Sequence, residues 1–112
     1  MSILHACVSD GENGPFITLS GEADTTTVAE LSDLVAAQIP EGTRYLTIDA
    51  AGLVFADSAA LRVLIFAART VRQRGGGLVL LRPQSTVARA MEIMCADQLV
   101  TIEGETRIPP PG

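Results

Sequence analysis

The chain has 112 residues, of which 47% are hydrophobic, and its formal net charge at pH 7 is -5. This length and apolar content predict one globular domain with a single hydrophobic core. The negative charge opposes binding to nucleic-acid phosphates and to anionic lipid, so we expect no nucleic-acid partner and no membrane insertion.

Two short runs of β-forming residues open the chain, at 3–8 and 16–20. The Gly and Asn residues in the "SDGENGP" between them are turn formers, so the pair predicts a hairpin. Apolar residues at helical spacing from Thr27 then predict a first helix of about ten to fourteen residues. Thr27 and Glu30 match a capping box at its start, and Pro40 ends it.

Strands and helices alternate in the second half of the chain. Residues 45–49 predict a strand that residues 53–55 continue, and residues 58–74 predict a long helix that ends at the glycines 75–77. A strand at 78–81, a helix capped by Ser85 and a last strand at 99–102 follow, and the core residues of that helix are Val87, Met91 and Met94. This order predicts an α/β fold whose sheet begins antiparallel and continues parallel.

The end of the chain reads "ETRIPPPG", and its consecutive prolines cannot continue a helix. We therefore expect one domain over residues 1–104 and a disordered proline-rich tail over residues 105–112.

Scarce residue types exclude most kinds of catalytic site. All eight basic residues are arginine, so no lysine is present for a P-loop or a Schiff base. His5 is the only histidine, and we expect no metal, no cofactor and no enzymatic activity. Cys7 and Cys95 are predicted to be reduced core residues. Because the sequence shows neither a signal-peptide pattern nor a membrane-length apolar run, we expect a cytoplasmic protein.

An acidic residue and a serine, Asp57 and Ser58, stand together at the start of the long second helix. On a helical wheel, Ser58 lies on the polar side with Arg62 and Arg69, and Ile65 flanks that side. Two interpretations follow from the residues alone. Ser58 caps the helix, or it is a phosphorylation site whose phosphate would meet the free N–H groups of the helix start while the domain stays folded.

Three segments of the chain resemble the STAS domains, named for sulfate transporters and anti-sigma-factor antagonists, and specifically the stand-alone bacterial antagonists. They are "ITLSGEADTTTVAEL", "LTIDAAGLVFADSAALRVL" and "GGGLVLLRPQSTVARAMEIM", in the same order and at similar spacing. The resemblance spans residues 16 to about 102. It implies an α/β, STAS-like single domain with a mixed sheet of about five strands and three to four helices.

The resemblance also implies a role for the Asp-Ser pair. In the family, this serine is phosphorylated by a serine kinase that is also an anti-sigma factor, which makes Ser58 the implied phosphoacceptor and Asp57 and Asp24 its neighbours. The unphosphorylated domain would bind the kinase and so release a sigma factor for transcription. The phosphorylated domain would dissociate until a serine phosphatase restores it. The expected partner-binding residues are Ala59, Ala60, Arg62, Ile65 and Arg69.

Other interpretations of these residues stay open. Asp24 is also suited to cap the first helix. Arg62 and Arg69 are also suited to form a solvated face of the second helix. Ser58 would be a nucleophile if His5 reached it, and a receiver-like domain would be phosphorylated on Asp49 or Asp57. A STAS subunit bound constitutively to a transport ATPase or a signalling complex would need no phosphorylation. A homodimer is also compatible, because the chain lacks the last amphipathic helix that is common in the family and so leaves apolar surface for a second copy.

Overall fold

The computed structural model describes residues 2–94 and 96–104. Within these residues the chain forms five strands, three α-helices and one short 3-10 turn. In chain order they are β1 (Leu4–Asp10), β2 (Pro15–Ala23), α1 (Val28–Gln38), β3 (Tyr45–Ala56), α2 (Ser58–Gln73), β4 (Gly77–Leu81), α3 (Ser85–Ile93), the 3-10 turn (Ala96–Gln98) and β5 (Val100–Glu103). The predicted α/β architecture, with an opening hairpin and alternating helices and strands, is confirmed.

The strands lie side by side in the same order as in the chain, β1-β2-β3-β4-β5. The hairpin strands β1 and β2 are antiparallel, and the other three neighbouring pairs are parallel. Each parallel connection contains a helix, and right-handed connections that advance in one direction bring all three helices onto the same face of the sheet. The core lies between that face and the helices.

Alternation along the strands decides which side chains enter the core. Ile17 of β2, Ile48 of β3 and Leu80 of β4 lie in one row across the sheet, and each is 0% exposed. The predicted apolar stripe of α2, which contains Leu61, Leu64, Ala68 and Val71, packs against these strands and is buried. Val87 and Met91 of α3 are buried as predicted, and Met94 packs partly buried at the edge of the core.

The prediction that the two cysteines are core residues is wrong for Cys7, which is exposed. Cys7 lies on β1, an edge strand, opposite Thr18 on the face of the sheet that the helices do not cover. A small apolar side chain in a strand is buried only when a second layer covers it, and none of the residues that the structure describes forms such a layer over Cys7. Cys95 and the predicted tail 105–112 lie outside the described residues.

Helix α2 ends as the glycine run predicts. Gly75 has φ +87, a left-handed conformation that glycine adopts without strain. The amide of Gly75 donates to the carbonyl of Arg72, and the amide of Gly76 donates to the carbonyl of Val71, which together form a Schellman motif. None of the helices in the described part of the chain is long and apolar enough to cross a membrane.

Candidate functional site

The start of α2 differs from the predicted cap. The N-cap residue is Asp57, and its Oδ1 accepts a hydrogen bond of 3.0 Å from the amide of Ala60. Ser58 is the first helical residue and is exposed, and its hydroxyl has no hydrogen-bond partner among the described residues. Capping by a side chain of this kind contributes about 1 kcal/mol to stability, and in this helix that contribution comes from Asp57. The interpretation of Ser58 as the helix cap is therefore wrong.

Tertiary structure brings Asp24 to the same place. The last pair of residues in the β2–β3 register is Ala23 with Ala56, and the amide of Asp57 donates to the carbonyl of Ala23 at 3.0 Å. Asp24 follows Ala23 directly, so its backbone lies beside that of Asp57. The carboxyl ends of two neighbouring parallel strands meet at one edge of a sheet, and this edge carries Asp24, Asp57 and Ser58.

The carboxylate of Asp24 is held by three hydrogen-bond donors. Its Oδ1 accepts from the amide of Thr26 at 2.9 Å and from the hydroxyl of Thr26 at 2.6 Å, and its Oδ2 accepts from the hydroxyl of Ser2. The hydrogen bond from Ser2, followed by those from Thr26, lowers the pKa of Asp24 from 3.8 to about 2. Asp24 thus carries a full negative charge at neutral pH. Its partners, Ser2 and Thr26, both lie outside α1, so the Asp24 side chain does not cap that helix.

Thr27 fixes the loop that presents Asp24. Thr27 occupies the N-cap position of α1, but its hydroxyl makes no cap hydrogen bond to the helix. The hydroxyl donates to the carbonyl of Glu22 at 2.9 Å and accepts from the amide of Asp24 at 3.0 Å. The predicted capping box with Glu30 is therefore absent, because the buried Thr27 side chain forms its hydrogen bonds with residues that precede α1.

The predicted cap of α3 also differs. Ser85 is not the cap, since Gln84 holds the cap position of α3.

We expect a Ser2→Ala substitution to raise the pKa of Asp24 toward 3.8, because it removes the hydrogen bond that lowers this pKa most. A pKa that is lower in the folded state favours folding above about pH 3.8, and that contribution is lost as the pH falls through about 2. Side-chain carboxyl NMR titration measures the midpoint. Ser9→Ala, which removes an exposed serine of β1, is the control and should leave the midpoint unchanged. An equal shift in both variants would contradict the assignment to Ser2.

The expected partner-binding residues are not all at the surface. Arg62 and Arg69 are exposed, and Ala59 and Ile65 are half-buried. Ala60 is 0% exposed, because its methyl group belongs to the core stripe of α2, so its side chain offers no contact to a partner. We use the name Ser58 surface for Ser58, Ala59, Arg62, Ile65 and Arg69.

Two exposed apolar residues lie shortly before Asp57 in the chain, and the sequence did not predict their exposure. Val54 is 54% exposed and Phe55 is 48% exposed. They lie in β3, which pairs with β4 only as far as Asp49, whereas its pairing with β2 continues to Ala56. The far end of β3 therefore has a neighbour on one side only. The apolar run "LVFA" before Asp57 was the available signal, but a run of this kind is equally typical of a buried strand.

The other chemistries considered for these residues gain no support. His5 pairs with Ser20 on the face of the sheet away from the helices, so the structure does not bring a histidine to Ser58. Asp49 is buried, its carboxylate forms an ion pair with Arg82, and the second carboxylate oxygen accepts from the amide of Ala51 at 3.0 Å. Within the residues that the structure describes, no three His, Cys, Asp or Glu side chains are grouped as metal ligands would be.

Comparisons with known proteins agree on one fold. A family model described as "Mlab, STAS domain" matches residues 8–101. The crystal structure of an anti-sigma factor antagonist from Mycobacterium paratuberculosis has a TM-score of 0.81 and 18% identity, over 93% of this chain and 88% of that chain. The anti-sigma factor antagonist SpoIIAA in its unphosphorylated form has a TM-score of 0.73 and 19% identity, over 88% and 87%. The Bacillus cell fate determinant SpoIIAA in its phosphorylated form has a TM-score of 0.70 and 18% identity, over 88% and 90%. A comparison with curated protein sequences found no match.

Proposed function

The chain belongs to the STAS domain family, and from this premise we propose that it is an anti-sigma-factor antagonist controlled by phosphorylation of Ser58. In this proposal the unphosphorylated chain binds an anti-sigma serine kinase, which frees a sigma factor. Phosphorylation of Ser58 by the same kinase ends the binding, and a serine phosphatase reverses the modification. The chain is the substrate and ligand in this cycle, and the kinase supplies the catalysis.

The observation that carries the proposal is the free hydroxyl of Ser58. Because Asp57 caps α2, Ser58 has no structural hydrogen bond among the described residues to lose when a kinase modifies it. The first amides of a helix lack acceptors in a preceding turn, and the N-terminus of a helix carries partial positive charge. A phosphate on Ser58 would lie at this terminus, so the fold tolerates the modification.

The charge around Ser58 explains how one phosphate would change binding. Phosphorylation adds roughly -1.5 to -2 charges, beside the carboxylates of Asp57 and Asp24. A kinase surface that fits the neutral serine would then face three acidic groups and the cost of desolvating a phosphate. Changing the bound fraction from 99% to 1% needs about 5.5 kcal/mol, which a buried phosphate at the centre of an interface is able to supply.

The surroundings of Ser58 supply the contacts for the unphosphorylated state. Arg62 and Arg69 extend the Ser58 surface along α2 with exposed positive charge, which suits acidic residues on a partner. Val54 and Phe55, which lie in β3 shortly before Asp57, add exposed apolar area. The resemblance to SpoIIAA, a protein with both an unphosphorylated and a phosphorylated structure, supports the idea that this fold accommodates both states.

The test of the proposal is intact mass and fragment mapping of the chain purified from its native host, with and without phosphatase treatment. We expect a gain of one phosphate at Ser58 that the phosphatase removes, and we expect the Ser58→Ala chain to copurify with a serine kinase. An unmodified chain under several growth conditions, recovered together with a transport ATPase, would instead support a constitutive STAS subunit.

A further inference from the structure

The two edge strands of the sheet, β1 and β5, differ in length and in charge. β5 has only four residues and ends at Glu103, whereas β1 has seven residues, of which six are exposed. The register of β1 with β2 is regular over its whole length, β1 contains neither proline nor lysine, and its only acidic residue, Asp10, is the last. Short length, charge, proline and bulges keep an edge strand from pairing with another chain. These features protect β5 but not β1.

Hydrogen bonds at both ends of the hairpin show which backbone groups of β1 point away from β2. The carbonyl of Ile3 accepts from the amide of Glu22 at 2.9 Å, and the amide of Gly11 donates to the carbonyl of Gly14 at 2.7 Å. Residues of an antiparallel strand alternate between hydrogen-bonded and non-hydrogen-bonded positions, so the odd-numbered residues from 3 to 11 bond to β2. The even-numbered residues direct their amides and carbonyls outward, where no other strand of the described residues lies. They are Leu4, Ala6, Val8 and Asp10.

A second copy of β1 fits these outward groups in one antiparallel register that pairs the whole strand. Leu4 then lies opposite Asp10 of the second copy, and Ala6 lies opposite Val8, so that even-numbered residues exchange hydrogen bonds. Cys7, the middle residue, faces Cys7 of the second copy. Val8, which is 39% exposed, gains an apolar neighbour. The two Asp10 carboxylates lie at opposite ends of the strand pair, about 20 Å apart, so like charges do not meet.

We propose that β1 pairs with β1 of a second copy in this register, which joins the two sheets across a two-fold axis at Cys7. Any other register that pairs outward groups with outward groups leaves part of each strand unpaired. A single pair of strands buries less area than a standard interface, so the dimer is weak and forms at high protein concentration. The inference goes beyond the proposed switch, because the dimer requires neither a kinase nor a phosphate.

Sedimentation equilibrium of the full unphosphorylated chain under reducing conditions tests the interface. We expect the mass to rise from 11.7 kDa toward twice that value as the concentration approaches the millimolar range. Val8→Lys should weaken the dimer by about tenfold or more, because it places two ammonium groups close together across the axis. Thr101→Lys is the matched control. It adds the same charge at an exposed position of the other edge strand, and it should leave the dissociation constant unchanged.

Thiol cross-linking then tests the register. In a chain with Cys95→Ser, Cys7 is the only cysteine. The proposed register places the Cα atoms of its two copies about 4.5 Å apart, within the range that a disulfide spans. We expect diamide, which takes up the two thiol hydrogens, to link the copies. Adding Cys7→Ser and Ser9→Cys moves each thiol along the strand, so the thiols lie about 13 Å apart and should not link.

Three results would each overturn the proposal. They are a wild-type chain that stays monomeric up to millimolar concentration, a dimer that Val8→Lys leaves intact, and equal rates of linking through the two thiol positions. The residues that are replaced on β1 and β5 are exposed, and circular dichroism verifies that each variant is folded. The assays contain no kinase, so the dimer and the phosphorylation switch stand or fall separately.

Discussion

Replacing Ser58 with Asp is expected to weaken binding to the anti-sigma kinase by about 2 kcal/mol, or about thirtyfold in Kd. The substitution places a fixed negative charge beside Asp57 and Asp24 at the centre of the proposed contact surface. The fold should be unaffected, because an acidic residue in the first turn of a helix interacts favourably with the helix N-terminus. Calorimetry with the kinase that copurifies with the Ser58→Ala chain measures the change.

Ser85→Asp is the matched control for this experiment. Ser85 is the first residue of α3, as Ser58 is the first residue of α2, and both are exposed. The control adds the same charge at the same helical position but away from the Ser58 surface, so it should bind the kinase as the wild-type chain does. Equal binding by Ser58→Asp and the wild type would rule out the switch. Equal weakening in both variants would assign the effect to net charge alone.

Replacing Gly76 with Ala is expected to destabilise the fold by about 3 kcal/mol. A Cβ atom at this position would lie 1.5 Å from the carbonyl oxygen of Arg44 and 2.3 Å from its carbonyl carbon. Both are backbone atoms, so no side-chain rotation relieves the overlap. The loop before β3 and the end of α2 would have to separate, at the cost of the hydrogen bond between the Gly77 amide and the Arg44 carbonyl.

Urea unfolding followed by circular dichroism measures this loss of stability, and Gly77→Ala is the control. A Cβ atom at Gly77 would meet no atom within 4 Å, so this variant should stay within about 0.5 kcal/mol of the wild type. The two substitutions add the same methyl group at adjacent positions. A similar midpoint for both variants would show that the close approach of residues 44 and 76 has no energetic importance.

Much of the fold was predictable because the spacing of apolar residues and the positions of turn-forming residues indicate the helices and strands. The boundaries of α2 were predicted to within one residue, since its apolar stripe repeats at helical spacing and a glycine run follows it. The hairpin and the later strands were predictable because runs of β-forming residues alternate with residues that form turns. The position of Ser58 at the start of α2, and its place on the polar side of the helix, also followed from the sequence.

Hydrogen-bond partners were less predictable than element boundaries. Asp57 and Ser58 are both good capping residues, and only the extended backbone of Asp57 at the end of β3 makes its carboxylate the cap. Thr27 has the right spacing for a capping box, but its hydroxyl oxygen accepts from the amide of Asp24 instead of from an amide of the helix, and the hydroxyl donates to the carbonyl of Glu22. Polar side chains choose among several nearby partners, and a sequence does not show which of them the fold brings within reach.

The periodicity of apolar residues was enough to predict an α/β chain with a serine at the start of an amphipathic helix. Each helix or strand buries one face, so its apolar residues repeat with the period of that element and are visible in the sequence. The exposure of Cys7, the burial of Ala60 and the groove between α1 and α2 beside Phe66 came from the packed structure alone. Each depends on which strand lies at an edge, or on which two helices are neighbours. Such contacts join residues that are far apart in the chain. They are stabilised only when the whole core packs, so no local pattern of residues predicts them.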